Sequence, residues 1–77
     1  MDEIVVTFQA APQLVKELKI PAFVTSQELL TMLSEALNLP NIGPERRLQA
    51  EPLGRILQPE RTLQEEGVAQ GALLTLI

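Results

Sequence analysis

Few side chains in this sequence could carry chemistry. Histidine and cysteine are both absent. That removes the common neutral-pH base, the thiolate nucleophile and the soft metal ligands, and makes a Cys/His zinc site impossible. The hydroxyls are Thr7, Thr25, Ser26, Thr31, Ser34, Thr62 and Thr75, and a hydroxyl becomes a nucleophile only with a base to activate it. Glu65 and Glu66 are neighbours in sequence. Adjacent positions on a helix do not face each other, so they read as a solvated turn rather than an acid–base pair. Gly43, Gly54, Gly67 and Gly71 are isolated, unlike a phosphate-binding loop, and no run of oxygen ligands has calcium-loop spacing. These residues assemble no catalytic, cofactor or metal site, and the chain reads as a non-enzymatic binding module.

What remains is surface. Arg46, Arg47, Arg55 and Arg61 are all the arginines, and they fall close together. A guanidinium binds a carboxylate bidentately, which suits a protein interface; the alternative is ordinary solubilising surface. Formal net charge is −4. Nucleic-acid binding relies on several basic groups neutralising phosphates, so charge argues against it. The two aromatics, Phe8 and Phe23, sit at core-like positions and supply no stacking platform for RNA.

Seventy-seven residues, 45% of them hydrophobic, suit one folded domain spanning residues 1–77 rather than a disordered chain. Without cysteine no disulfide staples the fold, which fits a reducing compartment. The start, MDEIVV, has no basic n-region of a signal peptide. No apolar run approaches the roughly 20 residues of a membrane span. The expected location is cytoplasmic, without membrane insertion.

The elements that must position this surface follow from periodicity. EIVVTFQA (3–10) alternates as a strand, with Ile4, Val6 and Phe8 on one face and Val5 and Thr7 on the other. APQ (11–13) predicts a turn, and LVKELKI (14–20) an antiparallel return strand with Leu14, Leu18 and Ile20 inward. The period then becomes helical. Thr25 and Glu28 fit a capping box, Val24 and Leu29 a hydrophobic staple, and Leu29, Met32, Leu33, Ala36 and Leu37 an apolar stripe centred on Leu33. Pro40 is the expected stop. NIGPE (41–45) reads as a loop, RRLQA (46–50) as a short strand and RIL within 51–60 as a very short one. Gly54 suits a turn with positive φ. Thr62 and Glu65 offer a second capping box over one turn, closed by Gly67. In ALLTLI (72–77), Leu73, Leu74, Leu76 and Ile77 make a near-continuous apolar run, which predicts a central strand beside a parallel N-terminal one. The fold class is α+β, a mixed sheet of four to five strands packed on one main helix.

TSQELLTMLSEALNLP, Arg47-Leu48, Arg61-Thr62-Leu63 and GVAQGALLTL stand in the order and spacing of ubiquitin and its β-grasp relatives. The chain resembles that superfamily over nearly its whole length, which implies the ubiquitin-like β-grasp. Ubiquitin's recognition patch pairs an isoleucine on its third strand with a leucine and a valine. Here Gln49 matches the isoleucine and Ile77 the valine, so the patch is half-kept. The sequence stops at Ile77 without the Gly-Gly of ubiquitin and the sulfur carriers, so the resemblance implies no covalent conjugation. Gly67-Val68, Gly71 and Leu74–Leu76 are most similar to the ending of the YukD/EsaB ubiquitin-like proteins of bacterial type VII (WXG100) secretion systems. That likeness implies a non-catalytic accessory component with protein partners, among them membrane-associated secretion machinery. A β-grasp adaptor or small regulatory subunit of a soluble enzyme complex stays open beside it. The expected binding surface comprises Arg46, Arg47, Gln49, Arg55 and Ile77.

Overall fold

The computed structural model describes residues 3–38 and 46–77. The expected loop at 41–45 and the Leu39-Pro40 step lie outside the described residues. Five strands form one mixed sheet: β1 (Glu3–Ala11), β2 (Leu14–Pro21), β3 (Leu48–Glu51), β4 (Arg55–Ile56) and β5 (Leu73–Leu76). Their order is β2-β1-β5-β3-β4. Helix α1 (Ser26–Ala36) covers one face, and a single-turn helix, α2 (Leu63–Glu66), lies before β5. This is the ubiquitin-like α+β architecture.

The β1–β2 hairpin turns at Pro12 and Gln13, with a register shift between Gln9 and Ala11. β5 runs parallel to β1, with Phe8 opposite Leu74, and antiparallel to β3, with Ala50 opposite Leu74. The apolar ending therefore does take the central position. Only one of its faces is sealed: Leu74 is buried, whereas Leu73 and Thr75 are half-exposed on the other side.

The core joins Val6, Phe8 and Ile20 of the hairpin, Leu29, Leu30 and Leu33 of α1, and Leu48, Leu57, Leu63 and Leu74. The buried helix face is Ser26, Leu29, Leu30 and Leu33. It is rotated from the expected stripe. Met32 and Ala36 point to solvent, while Leu30, read as off the stripe, is inside. A stripe starting at Ser26 follows the i, i+3, i+4, i+7 rule as well as one through Met32, and only the sheet's position decides between them. Phe23 also departs from expectation: it is 57% exposed. It sits in the turn before α1, where Ala22 takes the inward position.

The helix ends before the expected proline stop. Leu37 caps it by donating its N–H to the Leu33 carbonyl at 2.9 Å, and Asn38 follows with φ of 56°. Asparagine is among the few non-glycine residues that tolerate this left-handed conformation, which no helix can continue through.

Candidate protein-binding surface

Both helices start on the same sequence pattern, Thr-x-Gln-Glu, at Thr25 and at Thr62. In each, the Thr hydroxyl accepts from the N3 amide and the N3 Glu carboxylate accepts from the Thr amide, forming two complete capping boxes. The next two amides of each helix reach across to the other. Ser26 N–H donates to the Arg61 carbonyl (3.3 Å) and Gln27 N–H to that of Pro59 (3.2 Å). In return Leu63 N–H donates to the Val24 carbonyl and Gln64 N–H to that of Ala22, both at 2.9 Å. Thr25 and Thr62 themselves form an isolated antiparallel bridge. The orphan N–H groups of two helices are thus satisfied together, and this clasp fixes where the 55–67 segment lies against α1.

Within that segment Glu66 is 3% exposed, contrary to the solvated turn that its neighbourhood with Glu65 suggests. Its carboxylate accepts the Gln58 amide at 3.0 Å and faces Arg55 at 3.2 Å and Arg61 at 3.8 Å. Arg55 also donates to the Glu66 carbonyl oxygen. A buried carboxylate needs such compensation. The signal was the spacing to Leu63: three residues apart on a helix turn, the two share a face, and Leu63 is fully buried. Glu65, one step round, is exposed and serves the cap.

These contacts separate the arginines. Arg55 pairs with Ala50 in the β3–β4 ladder. It therefore projects to the core side of the sheet, toward Glu66. Arg46 donates from Nε to the Ile77 carbonyl oxygen at 2.7 Å, and Arg47 from Nη1 to the Arg46 carbonyl at 3.0 Å. Ile77 N–H donates to the Arg47 carbonyl at 3.0 Å. Arg46, Arg47 and Ile77 form one corner, and Arg55 with Arg61 another.

The sheet face opposite α1 is uncovered by any described element. Alternation places on it one cross-strand row: Val15, Gln9, Thr75, Gln49 and Ile56 on β2, β1, β5, β3 and β4. The ends are apolar and open, Val15 at 49% and Ile56 at 52% exposed; the middle is neutral and polar. Arg47 and Ile77 lie one step beyond Gln49 and Thr75 on the same face, with Ile77 44% exposed. On the other side of the row, Glu51 opposes Leu73, and the Gln49 side-chain amide donates to the Glu51 carboxylate at 3.1 Å. Of the five residues singled out by sequence, the fold brings Arg47, Gln49 and Ile77 onto this face, sets Arg46 at its edge and leaves Arg55 behind the sheet. Sequence reasoning missed Ile56, Leu73 and Thr75. Leu73 and Thr75 are the outward positions on either side of the buried Leu74, and Ile56 is outward beside the inward Arg55, so a firmer register for β4 and β5 would have found them.

This face can form non-covalent contacts: exposed aliphatics at its rim, amide and hydroxyl groups at its centre, and one guanidinium. Among the described residues, no group of three or more acidic side chains could hold a metal ion, and no helix is long and apolar enough to cross a membrane.

Solved structures share the fold. Ubiquitin of Caldiarchaeum subterraneum is 25% identical with a TM-score of 0.75, the match covering 97% of this chain and 91% of that one. A ubiquitin-like domain of an Arabidopsis thaliana protein is 19% identical at TM-score 0.79, over 100% and 78%. The ubiquitin-like domain of Plasmodium falciparum Dsk2 is 22% identical at 0.71, over 97% and 99%. No curated protein matches in sequence. One family's sequence model, described as WXG100 protein secretion system (Wss), protein YukD, matches residues 4–76. With the β-grasp sheet and its clasped helices running through the same span, the chain belongs to the YukD family, ubiquitin-like proteins associated with WXG100 (type VII) secretion.

Proposed function

We propose that this protein is a bacterial, cytoplasmic, non-catalytic accessory component of a WXG100 secretion system, and that it binds a protein partner of the secretion machinery non-covalently. The observation that carries the reading is the YukD family match over residues 4–76. The uncovered sheet face supports the mode of action. Its polar row from Gln9 through Thr75 to Gln49, flanked by Ile56, Ile77 and Arg47, offers apolar contact and hydrogen bonds without a reactive group. Glu65, Thr25 and Thr62, residue types that could otherwise serve chemistry, are engaged in helix caps, and Glu66 is engaged by two arginines.

Arg55 has an internal role in this proposal, and the contact surface centres on Arg47, Gln49 and Ile77, with Arg46 supporting the corner. Substitution of ubiquitin's isoleucine by Gln49 makes the face more polar, which favours a dedicated partner over readers of ubiquitin's apolar patch. The test is genetic. In the organism of origin, deletion of the gene should lower export of WXG100 proteins, and wild-type protein should restore it. Unchanged export after clean deletion contradicts the proposal.

A further inference from the structure

The sheet has two edges of unequal length. β4 has two residues, Arg55 and Ile56, whereas β2 runs for eight, Leu14–Pro21. Among the described residues, β2 pairs only with β1. A long open edge presents unpaired backbone donors and acceptors and is a template for another strand. Charged side chains are the usual protection, and β2 carries Lys16, Glu17 and Lys19. Whether those charges repel a second copy depends on the register in which two β2 strands meet.

Two copies joined edge to edge by a two-fold axis pair antiparallel, and residues directly opposite must lie on the same sheet face. The axis therefore passes beside a residue. Beside Glu17 it opposes Glu17 to itself, beside Lys16 it opposes Lys16 to itself, and beside Lys19 it does the same for that lysine. Beside Leu18 the result differs. Glu17 then faces the second copy's Lys19, and by symmetry Lys19 faces its Glu17. Leu18 meets Leu18 on the core side and Val15 meets Pro21 on the open side. Leu18 and Pro21 are half-buried and Val15 is exposed in the single chain, so this register also covers apolar surface. We infer that this protein self-associates through β2 into an antiparallel, two-fold symmetric dimer centred on Leu18, which joins two sheets into one of ten strands.

Lys19 already has a neighbour: its Nζ lies 3.4 Å from Glu3 Oε1, both side chains well exposed. In the dimer Lys19 sits between Glu3 of its own chain and Glu17 of the other, so the lysine need not leave one carboxylate to meet the second. Contacts of this kind are screened by salt, and the association is concentration-dependent and weakened at high ionic strength. The row of the open face that ends at Val15 continues across the junction, so the dimer extends the proposed binding face without covering Arg47, Gln49 or Ile77.

Sedimentation equilibrium of the full chain across a micromolar-to-millimolar series tests this. The wild type should dimerise. Glu17→Lys, which does not touch Glu3, places two like-charged pairs in the junction. It should weaken the dimer on the order of tenfold, about 1.4 kcal/mol shared between two cross-strand pairs. The swap Glu17→Lys with Lys19→Glu, carried together with Glu3→Lys so that position 19 keeps an opposite charge beside it within its own chain, restores opposite charges across the junction and should return the affinity to about the wild-type value. Circular dichroism of each variant checks the fold, and amide exchange at 15–21 should slow as wild-type concentration rises. A wild type that is monomeric throughout, a dimer indifferent to Glu17→Lys, a swap that fails to rescue, or protection confined to another part of the sheet would each overturn the inference.

Discussion

Thr25 and Thr62 face each other across an antiparallel bridge, each capping its own helix while the amides that follow bond to the carbonyls before the other. One cap is therefore part of the environment of the other. Thr25→Ala and Thr62→Ala should each cost about 0.5–2 kcal/mol in urea unfolding. Because the two share one bonded unit, the double variant should depart from the sum of the singles by about 0.5 kcal/mol or more. Strict additivity would show that the two helix starts are independent.

The buried Glu66 carboxylate holds the 55–61 segment through the Gln58 amide and two arginines. Glu66→Ala leaves that amide without its acceptor and should destabilise the fold by about 1–3 kcal/mol. Arg55→Ala should also destabilise, since it removes the nearer guanidinium from a buried carboxylate. Paired thermal melts check this, with Glu65→Gln, which keeps an acceptor for the Thr62 amide, as the mild comparison. A melt unchanged by Glu66→Ala would mean that the carboxylate is not held as described.

On α1, Leu33 is buried and Met32, its neighbour, is exposed. Leu33→Ala should cost about 2–5 kcal/mol, and Met32→Ala should stay within about 0.5 kcal/mol. Comparable losses at both positions would return the helix to the face first expected from its periodicity.

Much of the fold was legible because local signals agreed. The β-branched run at 3–10, both Thr-x-x-Glu boxes, and the glycines at 54 and 67, with φ of 69° and 86°, are short-range features that tertiary packing had no reason to override. The apolar ending predicted its own central, parallel placement. What escaped was set at long range. Leu30 and Met32 are both apolar and nearly adjacent, and only the sheet beneath α1 decides which is buried. Phe23 is a large apolar residue on a turn, and hydrophobicity alone said core. Glu66 looked like surface because its partners, Arg55, Gln58 and Arg61, are not its sequence neighbours and meet it only once the 55–66 segment folds back on itself. The candidate surface was legible in part for the same reason: Arg47, Gln49 and Ile77 follow strand alternation, whereas the face taken by Arg55 depends on a two-residue strand whose register the sequence does not fix.

The most direct measurement of the proposed role is affinity capture from native lysate with wild-type protein and surface variants, scored by mass spectrometry. The wild type should recover the secretion ATPase or a membrane component of the WXG100 apparatus. Ile56→Ser with Ile77→Ser should lower that recovery about tenfold while the melting curve stays intact, a loss of roughly 1.4 kcal/mol in binding. Recovery of a soluble enzyme complex instead, or equal recovery of secretion components by the variant, would contradict the account.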